Sequence, residues 1–150
     1  MNRGSNVPIS RARAFLDRLR VMAHRLDVMA AQCRALHEMA TNANAQISDM
    51  PRSDSPNLHR LEDLMCRIAD LDTDIANGKI EMENIRMEIA LMICRLGDPV
   101  IERVLTLRYI DCKKWSDIMN ELGYSRSRVF GLHCDGICAV EKLMMEDDKK

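Results

Sequence analysis

Apolar side chains recur at alternating intervals of four and three residues along the first third of the chain. This spacing repeats every seven residues and places the apolar side chains on one face of an α-helix. The segment 9–47 contains no glycine or proline, and Ser10 is of a residue type that caps helix N-termini. The pattern therefore predicts one long helix over residues 9–47. Its apolar seam comprises Phe15, Leu19, Met22, Leu26, Met29, Cys33, Leu36, Ala40, Ala43 and Ile47.

A second seam with the same spacing predicts another long helix over residues 58–96. The intervening segment 48–57 holds two prolines, three serines and two aspartates, which predicts a linker. Neither helix can bury its seam alone, so we expect an antiparallel helical hairpin, a coiled coil whose surplus apolar surface is buried in a dimer. Gly78 is the one position without a side chain, and it indicates either a bend or a close approach. The seam comprises Leu61, Leu64, Ile68, Leu71, Ile75, Gly78, Met82, Ile85, Ile89, Met92 and Leu96.

Shorter apolar patterns predict three further helices after the hairpin. Gly97 suits the end of a helix, and Asp98 followed by Pro99 suits the start of the next. We predict helices over 99–109, over 115–122, and from the cap at Ser125 to about residue 145, with a turn at Gly123. The chain is therefore expected to be all-α, with a hairpin region at 1–96 and a small helix-turn-helix domain at 97–150.

Composition supports the helical prediction and excludes several classes of protein. Aromatic residues make up 3% of the chain, with six glycines and four prolines, too few for a β-sandwich or barrel. There is no run of 18 apolar residues to cross a membrane, and residues 1–10 lack the apolar core of a signal peptide. The six cysteines form no CxxC motif, so we expect reduced thiols. These observations favour a cytoplasmic protein.

Charge is distributed unevenly, although the net charge is −1. Residues 1–47 carry 7 basic and 3 acidic side chains, residues 48–97 carry 6 and 10, and residues 98–150 carry 9 and 10. Within 103–128, however, six basic side chains face only three acidic ones. A single basic face is sufficient for nucleic-acid binding by a protein that is acidic overall.

The segment 115–133 has the pattern of a DNA-reading helix-turn-helix. A short helix, a turn at Gly123 and a second helix anchored by Val129 and Leu132 match the motif whose second helix enters the major groove. On a helical wheel, the small or polar residues of the second helix face away from Val129. Ser127 and Arg128 are the candidates for base contacts, and Arg126, Lys113 and Lys114 are the candidates for phosphate contacts. The full set of DNA-binding candidates is Lys113, Lys114, Ser125, Arg126, Ser127, Arg128, Gly131 and Cys134.

The same stretch resembles region 4 of bacterial sigma factors, and resembles still more closely the phage and prophage transcription regulators of the RinA/ArpU late-gene type. The resemblance is best over 96–143, and the long paired helices before it also fit the phage family. It implies sequence-specific binding of double-stranded DNA, control of late genes in a bacterial host cell, and RNA polymerase as a candidate partner. Its elements are Leu107-Arg108-Tyr109-Ile110, Trp115 with Ile118, Leu122-Gly123-Tyr124-Ser125, Val129 and His133.

Motifs for catalysis and cofactor binding are not found in the sequence. It contains no nucleophile elbow, Walker loop, HExxH helix or glycine-rich dinucleotide turn, so we expect neither an enzyme nor a bound cofactor. His133 with Cys134 and Cys138 is too small a set for a metal site, and no metal is expected. The other three histidines, at positions 24, 37 and 59, are expected at the surface.

Two alternative functions fit the same pattern. In the first, the coiled coil is a structural or adaptor element that binds another protein, and the helix-turn-helix is either a relic or a contact to RNA polymerase. In the second, the protein resembles a terminase small subunit, a DNA-packaging component that also combines coiled coils with DNA-binding helices. Assembly into a ring rather than a dimer would favour packaging.

Overall fold

The computed structural model describes residues 10–48 and 56–150, and nearly all of them lie in helices. The described residues contain no strand, which confirms the all-α prediction. The predicted linker 48–57 lies largely outside the described residues, although Ser48 still belongs to the first helix and Pro56 begins the second. None of the described helices is both long and apolar enough to span a bilayer. The elements are α1 Arg11–Ser48, α2 Pro56–Cys94, α3 Pro99–Leu105, a π-helical turn Thr106–Ile110, α4 Trp115–Leu122 and α5 Arg126–Asp147.

Helices α1 and α2 pack as a hairpin, as predicted. The described residues divide into two compact units. The first, here called the hairpin unit, contains residues 22–48 and 56–82. The second, here called the helix-turn-helix unit, contains residues 10–21 and 83–150, and so includes the start of α1 and the end of α2. The domain boundary predicted between residues 96 and 97 stays a prediction.

The core of the hairpin unit follows the predicted seams. Gly78 lies on the seam of α2, and a Cβ placed there would be 2.6 Å from Cδ2 of Leu26 on α1. The glycine therefore marks a close approach, made by the leucine side chain of the facing helix. Buried in the core are Cys33, Ala40, Ala43, Leu64 and Ile68, with Leu36, Leu61, Leu71 and Ile75 packed against them.

The start of α1 and the end of α2 bury residues outside the predicted seams. Ala12 and Leu16 are fully buried, and Ile93 is nearly so. The start of α1 also contacts α5, because the backbone N–H of Ala12 donates to Oε2 of Glu141 over 2.9 Å. A helix that packs against neighbours on two sides buries a wider arc than a two-helix seam requires. The heptad pattern alone therefore underestimates burial here.

Local sequence signals set the connection between the hairpin and α3. Gly97 has a φ of +75°, and Oδ1 of Asp98 accepts hydrogen bonds from the backbone N–H groups of Val100 and Ile101 over 3.0 and 3.3 Å. At the start of α1, Oγ of Ser10 accepts from the N–H of Arg13 over 3.2 Å. These features confirm the predicted starts of α1 and α3 and the predicted end of α2 before Gly97.

The third helix, predicted over 99–109, is not α-helical over its whole length. It is α-helical only from Pro99 to Leu105 and continues as the π-helical turn over 106–110, where the N–H of Asp111 bonds to the carbonyl of Thr106 over 2.9 Å. The wider turn accompanies the burial of both Leu107 and Tyr109. π-turns of this kind are common near functional sites, and this one carries the tyrosine that contacts α5.

Candidate nucleic-acid interface

Helices α4 and α5 form the helix-turn-helix arrangement that the sequence predicts. Gly123 ends α4 in the left-handed conformation, with a φ of +67°, and its N–H donates to the carbonyl of Met119 over 2.9 Å. Ser125 caps α5, because its Oγ accepts from the N–H of Arg128 over 3.3 Å. The predicted bounds of α4 and the predicted cap of α5 are both confirmed.

A buried core holds the two helices together from behind. Ile118 and Val129 are fully buried beside Val104 and Leu107. Trp115 and Leu132 are half-buried and pack against this cluster, so Leu132 contributes to the anchor as expected. The rest of the inner face of α5 consists of His133, Gly136 and Val140, at the intervals of four, three and four residues expected of a helix.

The outer face of α5 carries the predicted candidates. Ser127, Arg128, Gly131 and Cys134 are all exposed, as the helical wheel predicts. A Cβ placed at Gly131 would meet nothing within 4 Å. The first half of α5 therefore presents a polar surface without a bulky side chain at Gly131, which another molecule can approach closely.

Both arginines of this surface lie against aromatic rings of their own unit. The guanidinium carbon of Arg128 is 4.6 Å from the centroid of the Tyr124 ring. That of Arg126 is 5.4 Å from the Phe130 ring. Each such contact stabilises an exposed side chain by about 0.5–1 kcal/mol. The rings thus restrict the arginines and leave their nitrogen donors available at the surface.

The two lysines before α4 have different electrostatic surroundings. The ammonium group of Lys113 pairs with Glu121, which also accepts a hydrogen bond from Arg103 over 2.6 Å. The hydrogen bond from Lys113 is the main reason why the pKa of Glu121 is lowered. Lys114 is exposed and makes no ion pair with any residue that the structure describes. Of these two lysines, Lys114 is the one whose charge is not balanced by a described carboxylate.

A buried polar contact fixes α5 to the π-helical turn. The hydroxyl of Tyr109 lies 2.7 Å from Nε2 of His133, and the Trp115 ring meets the same imidazole edge-on at 4.8 Å. Burial, with the nearby cations Arg13 and Arg108, lowers the pKa of His133 to about 4. The imidazole is therefore neutral near pH 7, and an unprotonated Nε2 can accept a hydrogen bond from the hydroxyl of Tyr109.

The sequence alone does not predict this contact, because the two residues are 24 positions apart and their types do not pair them. The π-helical turn that orients Tyr109 likewise has no local signal. The burial of His133 also turns it away from Cys134 and Cys138, the two cysteines near it in sequence. His133 faces the core, whereas Cys134 and Cys138 are exposed. All six cysteines are free thiols.

Comparison of the chain with protein-family models, with curated proteins and with solved structures gave no match. The resemblance to the late-gene regulators thus rests on the quoted residues alone.

Proposed function

We propose that the protein is a sequence-specific DNA-binding regulator of transcription, of the phage or prophage late-gene type. The observation that carries this proposal is the outer face of the first half of α5. That face combines two arginines held against rings, a serine, and a glycine with open space above it. Such a surface at the start of the second helix of a helix-turn-helix suits insertion into the major groove.

Each residue has a chemical role in this proposal. Arg128 donates two hydrogen bonds to O6 and N7 of a guanine, the commonest specific contact in the major groove. Gly131 allows the helix to approach the base edges. Lys114 and Arg126 contact phosphates, which fixes the register of the protein without reading sequence. Ser127 and Cys134 line the same face.

The proposed partners are double-stranded DNA and a second copy of the chain, with RNA polymerase as a further candidate, in the cytoplasm of a bacterial host. The support for a second copy comes from the hairpin unit. Leu58, Met65 and Ile80 of α2 are exposed; Leu58 and Met65 lie two turns apart beside the packed seam, whereas Ile80 lies on the outer side of the helix. Exposed apolar side chains next to a buried seam are typical of an association surface.

The direct test is DNA selection followed by binding across a salt series. A random pool is selected on the wild-type protein, and the enriched operator is titrated with each variant. Arg128→Ala should weaken operator binding by about 1–3 kcal/mol and relax preference at one base position. Lys114→Ala should weaken binding to all sequences and reduce the salt slope by about one unit. Gly131→Leu should block close approach.

Lys142→Ala is the matched control. Lys142 is an exposed cation of the same helix, about four turns beyond Arg128, and its replacement should leave operator binding unchanged. Loss of binding in this control alone would contradict the proposed face. If no sequence is enriched and all variants behave as wild type, the adaptor function replaces this one. DNA binding without sequence preference, together with ring assembly, would indicate packaging.

A further inference from the structure

Three side chains of the hairpin unit that the function above does not use lie together. Cys33 and His37 are one turn apart on α1, and Asp72 comes from α2. One ligand atom from each, the thiol sulfur, a ring nitrogen and a carboxylate oxygen, lies within 4.8 Å of the other two. The thiol of Cys33 donates to Oδ1 of Asp72 over 3.2 Å.

The chemistry of these three groups is that of a zinc site. Zinc is bound by thiolate, imidazole and carboxylate at about 2.0–2.3 Å, which places ligand atoms roughly 3.3–3.8 Å apart in a tetrahedron. The sulfur of Cys33 and Oδ1 of Asp72 are 3.2 Å apart, close to this range, and the His37 nitrogen lies within 4.8 Å of both, so ligation requires the His37 ring to move closer. The sulfur and nitrogen donors favour zinc over magnesium or calcium, which prefer oxygen ligands.

The surroundings leave room for an ion to enter. His37 and Asp72 are exposed, whereas Cys33 is buried on the apolar seam. Because two of the three ligands face solvent, water can supply the fourth ligand of a tetrahedral site. The i, i+4 spacing of Cys33 and His37 places both ligands on one helix face.

A purely structural explanation accounts for less of the arrangement. A thiol bonded to Asp72 is a sufficient explanation for the cysteine and the aspartate, but it gives His37 no role. The remaining histidines and cysteines of the hairpin unit, at positions 24, 59 and 66, belong to no comparable group among the described residues.

We propose that Cys33, His37 and Asp72 bind one zinc ion that joins α1 to α2, with water as the fourth ligand. The ion binds the Cys33 thiolate, and the thiol proton passes to solvent. The bound ion stabilises the hairpin unit, because it binds the folded arrangement and not the separated helices. This proposal is independent of DNA binding.

The test uses the full, reduced chain freed of metal. Zinc is titrated calorimetrically, and cobalt is added separately, since a thiolate–cobalt charge-transfer band reports sulfur ligation. We expect one equivalent bound by the wild type. His37→Gln and Asp72→Asn should each bind at least tenfold more weakly and lose the rise in unfolding midpoint that zinc gives the wild type. Cys33→Ser should lose the charge-transfer band.

His59→Gln and Cys66→Ser are the matched controls, because both residues are exposed on α2 outside the cluster. They should bind zinc as the wild type does. His37 is itself exposed, so His37→Gln is expected to fold normally, which circular dichroism checks. Wild-type affinity in a folded His37→Gln variant would overturn the proposal. So would loss of the bound equivalent in Cys66→Ser, which would place the ion at an exposed thiol.

Discussion

Two glycines of α5 should respond in opposite directions to the same substitution. Gly131 and Gly136 both lie inside the helix, where glycine is less favourable than alanine by about 0.5–1 kcal/mol. Gly131 has open space around its missing Cβ. A Cβ at Gly136 would lie 2.9 Å from Cγ2 of Ile101 and 3.0 Å from Cδ1 of Leu105. Only the second position brings α5 close to α3.

The magnitudes follow from these distances. Gly131→Ala should raise the free energy of unfolding by about 0.5–1 kcal/mol. Gly136→Ala gains the same backbone term but forces α3 and α5 apart, and overpacking of this kind costs about 1–3 kcal/mol. The γ-methyl group of Ile101 is attached at Cβ and cannot swing away as freely as the end of a leucine. The difference between the two variants should therefore be about 1–3 kcal/mol, with Gly136→Ala the less stable.

Trp115 makes the measurement specific to the relevant unit. It is the only tryptophan of the chain and packs against the core of the helix-turn-helix unit, so its fluorescence during urea unfolding reports that unit. Comparing the two alanine variants cancels the helix-propensity term. If Gly136→Ala proved as stabilising as Gly131→Ala, the close packing of α5 on α3 would be refuted.

Two further predictions concern pH and assembly. The pKa of His133 is lowered from 6.5 to about 4 in the folded protein, so the unfolded chain binds the proton more readily. The free energy of unfolding should therefore fall by up to about 3 kcal/mol as the pH drops from 6.5 to 4. His133→Gln should lose that pH dependence in urea titrations, whereas His24→Gln should keep it. For assembly, Ile80→Glu should give folded monomers in sedimentation because Ile80 is exposed. Leu71→Asp should instead unfold the hairpin unit, because Leu71 packs against its core. A wild type that sediments as a monomer at tens of micromolar would contradict the dimer.

Local signals made the helix-turn-helix predictable. The bounds of α4, the cap at Ser125 and the outward direction of Arg128 and Gly131 each depend on residues within one or two turns. Heptad spacing likewise predicts a hairpin, because an apolar seam needs a partner whatever lies elsewhere in the chain. The same local logic identifies Gly97 and Asp98 as the end of one helix and the start of another.

Contacts between distant residues were not predictable in this way. Tyr109, which contacts His133, lies in a π-helical turn that the residue types of the segment do not predict. The hydrogen bond from the Ala12 N–H ends on Glu141 of α5, more than a hundred residues later. Cys33 and His37 could be placed on one face from the sequence, but only the pairing of α1 with α2 brings Asp72 to them. Helix periodicity describes which face is buried and not what lies opposite.

The division of the chain has a consequence for its synthesis on the ribosome. The hairpin unit is contiguous in sequence apart from its connection, so its contacts can form once α2 has emerged. The helix-turn-helix unit instead combines residues 10–21 with residues 83–150. The hydrogen bond from the Ala12 N–H to Glu141 therefore cannot form until α5 has been made. Contacts of such long sequence separation slow folding and prolong exposure of apolar surface. The unit that contains α5 can therefore be completed only after the end of the chain has been made.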